Sequence, residues 1–129
     1  MRYGKTMGLA LLCALALLLS GCGKGGAFDG SIVADKSQFH MEYAILNREQ
    51  AADLPLKEGD ALHVVFAHES GNVDVKVGLN GRELIYTGNG QADADFTLIV
   101  PESGDYHISV TGHQAKGRVS FDRIPQNTK

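Results

Sequence analysis

Several residue types are scarce in this sequence of 129 residues, and each scarcity excludes a class of protein. There is no tryptophan, aromatic residues make up only 7% of the chain, and both cysteines, Cys13 and Cys22, lie near the N-terminus. The formal net charge is -3, which argues against a nucleic-acid-binding protein because such proteins usually present a basic surface. The length fits one domain and leaves no room for a two-domain enzyme.

Only one long apolar run is present, and it lies at the N-terminus. Arg2 and Lys5 precede an uncharged segment that extends from Met7 to Leu19. A basic region followed by an apolar region of this length is typical of a secretory signal peptide. A helix over this segment would span about 20 Å, short of the ~30 Å hydrocarbon core, so we interpret it as a cleaved signal and not a membrane-spanning helix.

The residues that follow this run, Leu19-Ser20-Gly21-Cys22, resemble the lipobox of bacterial lipoproteins. The resemblance implies cleavage before Cys22 and attachment of diacylglycerol to its thiol, which would anchor the protein to a lipid bilayer. The alternative is an ordinary signal peptide with an incidental cysteine. With Cys13 removed and Cys22 lipidated, the mature chain has no thiol for a disulfide, a zinc site or a nucleophile.

The composition thus predicts four segments. Residues 1–21 form the lipoprotein signal peptide, and residues 22–27 contain the lipidated Cys22 and a Gly-rich tether. Residues 28–124 form the folded domain, and residues 125–129 form a C-terminal tail. Loss of Arg2 and Lys5 makes the mature chain more acidic. The expected location is the cell membrane or outer membrane, with the domain outside the cytoplasm.

Beyond Phe28 apolar residues alternate with polar ones, which is the period of a half-buried β-strand. The pattern predicts an all-β fold, a single antiparallel β-sandwich of jelly-roll or immunoglobulin-like size with about seven or eight strands. The residues expected to face inward are Phe39, Met41, Tyr43, Ile45, Leu62, Val64, Phe66, Val73, Val75, Val77, Leu79, Phe96, Leu98, Val100, Tyr106, Ile108, Val110, Val119 and Phe121. Tyr43 and Tyr86 are the aromatic residues whose inward placement the pattern leaves open.

The connections between strands have their own signals. Asn80-Gly81 between two alternating runs predicts a hairpin with a type I′ turn. The segment Arg48–Asp53 has helical character and is expected to form a short helical connector, limited by Pro55. Ala115-Lys116-Gly117 is expected to form a turn between two strands.

The C-terminal half is similar to the β-sandwich modules typified by bacterial pre-peptidase C-terminal domains. The similarity extends over residues 59–122 and rests on turn glycines and inward aromatic residues, such as Asn80-Gly81-Arg82 and Pro101-Glu102-Ser103-Gly104-Asp105-Tyr106. It implies the sandwich architecture and no particular site.

Five histidines are the main candidates for site chemistry: His40, His63, His68, His107 and His113. His63 and His107 are expected on outward strand faces, and with His113 at an adjoining turn they are weak candidates for a metal site. Solvated surface histidines are the alternative, since no spacing of a known metal motif is present. Asp93 and Asp95 fall short of a complete calcium loop. No cofactor is predicted.

The sequence favours a non-catalytic binding or envelope-assembly module over an enzyme. It contains no nucleophile elbow, no phosphate-binding glycine loop and no thiol in the mature chain. The expected partner, besides the bilayer, is an envelope protein or glycan, and loops around Asn72, Asn89 and Gln114 are possible contact points. The alternative is a metal- or small-ligand-binding lipoprotein that uses surface histidines, and an envelope hydrolase ranks third.

Overall fold

The computed structural model of the protein describes residues 26–89 and 92–126. The signal peptide, Cys22, the first residues of the tether and the last three residues of the predicted tail lie outside this part. The described residues form seven strands, which are β1 (Phe28–Ala34), β2 (Gln38–Leu46), β3 (Glu49–Leu56), β4 (Ala61–Leu79), β5 (Leu84–Asn89), β6 (Ala94–Ile99) and β7 (Gly104–Ile124). Within these ranges there is no helix long and apolar enough to cross a bilayer.

The strands form one antiparallel sheet built around two long strands, β4 and β7. These two pair with each other along almost their whole length, from Ala61 opposite Ile124 to Leu79 opposite Tyr106. On the other side of β7, β2 pairs with its C-terminal half and β3 with its N-terminal half. On the other side of β4, β6 pairs with its N-terminal half and β5 with its C-terminal half. Strand β1 pairs with β2 at the edge.

The sheet folds over on itself to make a β-sandwich. The first half-sheet contains β1, β2, β6, the start of β4 and the end of β7, and the second contains β3, β5, the end of β4 and the start of β7. Their inner faces share one apolar core, in which Phe39, Leu62, Val75, Tyr106 and Phe121 are among the fully buried side chains. Tyr86 on β5 and Phe96 on β6 are in contact across the two layers, with their ring centroids 5.1 Å apart. The predicted all-β sandwich is therefore confirmed.

The sheet folds along a line where three chain segments cross, and we call this the fold line: Asn47–Arg48, Glu69–Gly71 and Gln114–Ala115. The ladder between β4 and β7 is irregular between His68 and Asn72. Gly71 has φ +71°, and Gln114 opposite it is the one non-glycine residue of the described part with positive φ. A Cβ on Gly71 would collide with the backbone carbonyl of Gln114. Glycine is thus required here for both conformation and space.

The opposite end of the sandwich is called the loop end, and it contains most of the connections between strands. Four connections lie here: the β1–β2 loop at 35–37, the β3–β4 loop at 57–60, the β4–β5 hairpin at 80–83 and the β6–β7 loop at 100–103. The β5–β6 connection follows Asn89, which is opposite Asp74 on the side of the fold line. The described chain enters at the fold line, because Asn47 N donates a hydrogen bond to Ala27 O at 2.8 Å. The start of the described chain, at Gly26-Ala27, and the loop end therefore lie at opposite ends of the domain.

The prediction of a helix over Arg48–Asp53 is wrong. Residues Glu49 to Leu56 form β3 and pair with β7 at eight consecutive positions, from Glu49 opposite Thr111 to Leu56 opposite Gly104. Local helix propensity is a weak preference, and pairing along β7 with burial of Leu54 and Leu56 overrides it. Pro55 is compatible with β3 because this strand is at a sheet edge.

Three further expectations differ from the structure. The runs around Leu62 and Val73 belong to one bent strand, β4, and the predicted Ala115-Lys116-Gly117 turn lies within β7. Ile45 is exposed at 45% because a register shift between Tyr43 and Leu46 turns Leu46 inward instead. Tyr43, whose placement was open, is buried.

The predicted hairpin at Asn80-Gly81 is present, but the prediction of a type I′ turn is wrong. Gly81 has φ +76°, whereas Asn80 has negative φ, and Arg82 N donates to Leu79 O at 3.0 Å. Positive φ at the second central residue alone is the type II pattern.

Two glycines with similar φ provide a test of the fold line. Gly71→Ala should lower the free energy of unfolding by roughly 2–5 kcal/mol, since the strain of positive φ adds to the collision with Gln114. Gly81→Ala is the matched control, because its Cβ would have open space, and should cost about 1 kcal/mol. Urea unfolding measures both. An equal decrease in the free energy of unfolding for both variants would show that the backbone at the fold line leaves room for a Cβ on residue 71.

Candidate functional site

Four of the five histidines bond to an aspartate on a neighbouring strand. Imidazole nitrogens and carboxylate oxygens lie 2.6–2.8 Å apart, and all eight side chains are at least one-third exposed. An exposed pair of this kind is worth roughly 0–1 kcal/mol, so the pairs order the surface more than they stabilise the fold. The pairs are His40–Asp122, His63–Asp95, His107–Asp53 and His113–Asp74.

Two of these pairs form a row across the outer face of the first half-sheet. His40 lies on β2, Asp122 on β7, His63 on β4 and Asp95 on β6. His63 is directly opposite Asp122 in the ladder between β4 and β7, so the two pairs are neighbours. Imidazoles and carboxylates therefore alternate across four adjacent strands.

The structure does not bring His63, His107 and His113 together. In the ladder between β4 and β7, His63 is opposite Asp122 near the loop end of the first half-sheet. His107 is opposite Gly78 near the loop end of the second half-sheet. His113 is opposite Asn72 at the fold line. Within residues 26–89 and 92–126 no group of three or more His, Cys, Asp or Glu side chains is arranged to hold a metal ion.

Asp93 and Asp95 have separate partners. Asp93 Oδ1 accepts a hydrogen bond from the backbone N of His68 at 2.8 Å, and Asp95 Oδ1 is 2.6 Å from His63 Nε2. Asp93, which directly precedes β6, and Asp95, which lies on β6, each bond to a residue of β4. Both are therefore engaged in cross-strand contacts.

A polar depression of about 500 Å³ lies on the outer face of the second half-sheet, beside the fold line. Its side chains point outward because the alternate residues of β4, Val73, Val75 and Val77, are buried in the core. Asp74 and His113 are bonded to each other at 2.8 Å, whereas Lys76 forms no ion pair with another described residue. The depression thus presents hydroxyl, amide, carboxylate, imidazole and ammonium groups from β4, β5 and β7. Its lining residues are Asp74, Lys76, Thr87, Gly88, Asn89, Thr111 and His113.

Sequence reasoning identified only part of this surface. Asn89 and His113 were expected in loops or turns, but both belong to strands. The alternation around Val73–Leu79 did predict that Asp74 and Lys76 face solvent. The alternation does not reveal which outward residues of β5 and β7 lie beside Asp74 and Lys76, because that depends on strand order and register.

The buried tyrosines have structural roles. Burial raises the pKa of Tyr43 to about 12. Burial also raises the pKa of Tyr106, whose hydroxyl donates a hydrogen bond to the carbonyl oxygen of Glu102. Both phenols stay protonated at neutral pH and do not supply a base.

Asp60 is a buried carboxylate at the loop end, with 2% of its surface exposed. Its Oδ2 accepts bonds from Lys57 N at 2.9 Å and Arg123 Nε at 2.7 Å, and its Oδ1 accepts from Gln126 N at 3.0 Å. Burial by itself raises the pKa of Asp60, but the hydrogen bonds from Lys57, Arg123 and Gln126 outweigh it, and the pKa lies below its ordinary value. Asp60 is therefore ionised in the folded protein and fastens three segments together.

No protein-family model matches this sequence, and no curated protein matches it. Solved structures similar to it include that of Aeromonas hydrophila PliG, a periplasmic inhibitor of g-type lysozyme, at 16% identity and a TM-score of 0.47 over 75% of this chain and 88% of that chain. Another is a CBM4 structure at 12% identity and a TM-score of 0.43, covering 83% of each chain. A third is TmCBM61 in complex with beta-1,4-galactotriose, at 17% identity and a TM-score of 0.41 over 79% of this chain and 71% of that chain. These values are too low to bear on what this chain binds.

Asp60→Asn should destabilise the protein at pH 7 by about 2–4 kcal/mol, because a neutral amide replaces the charged acceptor of a buried network. Since the folded pKa of Asp60 is lowered, its contribution is complete above the unfolded value of 3.8 and is lost as pH falls through the folded pKa. The difference between wild type and variant should therefore shrink on acidification below about pH 4. Urea unfolding at pH 7, 4 and 2.5 measures it.

Asp53→Asn is the control for this experiment, because Asp53 is 57% exposed and its partner is the exposed His107. Its cost should stay below about 1 kcal/mol at pH 7. A cost for Asp60→Asn equal to that of Asp53→Asn would contradict the assigned role of the buried carboxylate.

Proposed function

We propose that this protein is a lipid-anchored bacterial envelope protein whose folded domain binds an envelope protein or glycan without catalysis. The signal-like N-terminus and the Leu19-Ser20-Gly21-Cys22 motif support the anchor. Cys22 itself lies outside the described residues.

The point of chain entry supports an anchored arrangement. Ala27 is hydrogen-bonded to Asn47 at the fold line and lies five residues after the proposed lipidated Cys22. A Gly-rich tether of that length spans roughly 12 Å. The fold line would then stand near the bilayer, and the loop end would face away from it. Confinement to a membrane raises the local concentration of the domain near other envelope components.

The polar depression on the second half-sheet is the observation on which the binding proposal rests. Asp74, Lys76, Thr87, Asn89 and Thr111 extend from strands that are fixed by the core beneath them. Because these strands are fixed, binding requires no ordering of the backbone, which lowers its entropic cost. The mixture of donors and acceptors suits the hydroxyl groups of a glycan or the backbone of an exposed peptide segment.

The anchor has a direct test. Cys22→Ser should shift the full-length protein from the membrane fraction to the soluble fraction or leave it as an uncleaved precursor, because serine cannot form the thioether. Cys13→Ser is the matched control and should leave the fractionation unchanged, since Cys13 belongs to the predicted signal peptide. Fractionation and intact mass spectrometry measure both outcomes. An unmodified Cys22 thiol in the native protein would reject the anchor.

The binding surface has a separate test, in which a photo-crosslinking amino acid replaces one threonine of the full-length protein in its native cells. At Thr87, which is exposed in the depression, it should form adducts with a discrete envelope protein or glycan. At Thr97, an equally outward position on β6 of the first half-sheet, it should not.

The mass of the captured partner distinguishes binding from catalysis. A partner of intact mass supports a binding module, and a processed partner contradicts it. Equal adducts at Thr87 and Thr97, or none at Thr87, would reject the depression as the binding surface. Because the Cys22 test uses a different readout, the anchor and the surface are judged independently.

A further inference from the structure

A basic depression lies at the loop end of this acidic protein. It has a volume of about 340 Å³ and is formed where β3 ends, β7 begins and the β1–β2 loop passes. Three cationic side chains line it against one carboxylate, Asp105, although the whole chain has a net charge of -3. The three cations come from three separate segments: Lys36, Lys57 and Arg123.

Arg123 is held in place while most of its donors stay available. Its Nε bonds to Asp60 Oδ2 at 2.7 Å, and its side chain is 25% exposed, whereas that of Asp60 is 3% exposed. The terminal guanidinium nitrogens have no hydrogen-bond acceptor among the described residues. A guanidinium fixed at one nitrogen presents its other N–H groups in a planar arrangement that matches a carboxylate or phosphate.

Hydrogen bonds of the backbone position the two lysines beside this guanidinium. Lys57 N donates to Asp60 Oδ2, the same oxygen that accepts from Arg123. Arg123 N donates to Ser37 O at 2.9 Å, which ties the loop that contains Lys36 to the end of β7. Asp35 closes that loop by accepting from Ser37 N at 2.8 Å. The ammonium groups of Lys36 and Lys57 form no ion pair with another described residue, so both are available to a ligand.

Two further carboxylates, Asp35 and Asp60, lie near the depression but do not line it. Asp35 uses its oxygens for Ser37 and Gln38, and Asp60 lies beneath the surface in its own network. Asp105 forms no ion pair with a described residue. The lining itself has three cations against one carboxylate, and the carboxylates of Asp35 and Asp60 offset the remaining charge. The site therefore rests on the donors of Arg123, Lys36 and Lys57 that no described carboxylate engages.

We propose that this basic depression binds an oxyanion, a carboxylate or phosphate group, carried by a ligand that approaches the loop end of the domain. The site is distinct from the polar depression at the fold line, so it goes beyond the proposed function and does not depend on it. Arg123 donates hydrogen bonds to the anion from its terminal nitrogens, and the ammonium groups of Lys36 and Lys57 contact it from the sides. Asp60 is a positioning residue that orients both Arg123 and Lys57.

Three sugars of the same ring chemistry test the proposal: glucose, glucuronate and glucose 6-phosphate. Each is titrated into the full-length protein in a neutral detergent at low ionic strength, and ¹H–¹⁵N spectra record the Arg123 Nε–H and the Lys57 backbone amide. Saturable shifts with glucuronate or glucose 6-phosphate, and none with glucose, are expected. Whichever of glucuronate and glucose 6-phosphate binds with the lower Kd shows whether a carboxylate or a phosphate is the preferred group. Equal responses to all three sugars, or no response to either anion, would overturn the proposal.

Variants of the free cations and of Asp105 test the site without disturbing the Asp60 network. Lys36→Gln with Lys57→Gln should weaken anion binding about fivefold or more, and 0.5 M salt should weaken it further by screening. Asp105→Asn should strengthen it, since it removes the one lining carboxylate. Arg48→Gln with Arg118→Gln is the matched control, because it removes two exposed cations elsewhere and should leave affinity within twofold. Equal weakening by both double variants would show a general charge effect and reject the site.

Discussion

The crossing of three chain segments at the fold line is the constraint on which the rest of this structure depends. β4 and β7 each continue through both layers of the sandwich, so both layers exist only if these strands bend at the same level. The bend requires positive φ at Gly71 and at Gln114, and Asn47 Oδ1 fixes the second by accepting from Gln114 N at 3.0 Å. Because Asn47 N also bonds to Ala27, the same crossing decides where the chain enters the domain. The bend, the core and the first described residues thus meet at one place.

Sharing strands between layers also explains which parts of the fold the sequence could predict. Alternation along Val73–Leu79 or Tyr106–Val110 depends only on burial of one face, so it identified those strands and their inward residues. Continuity between such runs depends on contacts that are remote in sequence. Residues 68–72 contain glycine and polar side chains like any loop, and only pairing with β7 keeps them in one strand. The β3 segment was missed for the same reason, since its partners in β7 lie 48 to 62 residues away in sequence.

The surface features follow from register in the same way. Each histidine of the four pairs finds its aspartate on a neighbouring strand, between 32 and 82 residues away in sequence. Sequence alternation correctly indicated that His63 and His107 face outward, but the bend of β4 and β7 places them on the outer faces of different half-sheets. Asp60 had no sequence signal, because an aspartate beside a glycine usually belongs to an exposed turn. Its burial arises from the meeting of Lys57, Arg123 and Gln126 around it.

Asp60 also links the stability of the domain to the chemistry of its loop end. A buried carboxylate is tolerated only when its charge is met by donors, and here those donors include a guanidinium and the backbone of a neighbouring lysine. The same bonds that offset the cost of burial hold two cations at the rim of a depression. If an anion binds there, it binds the folded state alone, because Lys36, Lys57 and Arg123 come together only when β1, β3 and β7 are in place. Ligand binding at the loop end would therefore stabilise the whole sandwich, including the fold line at its opposite end.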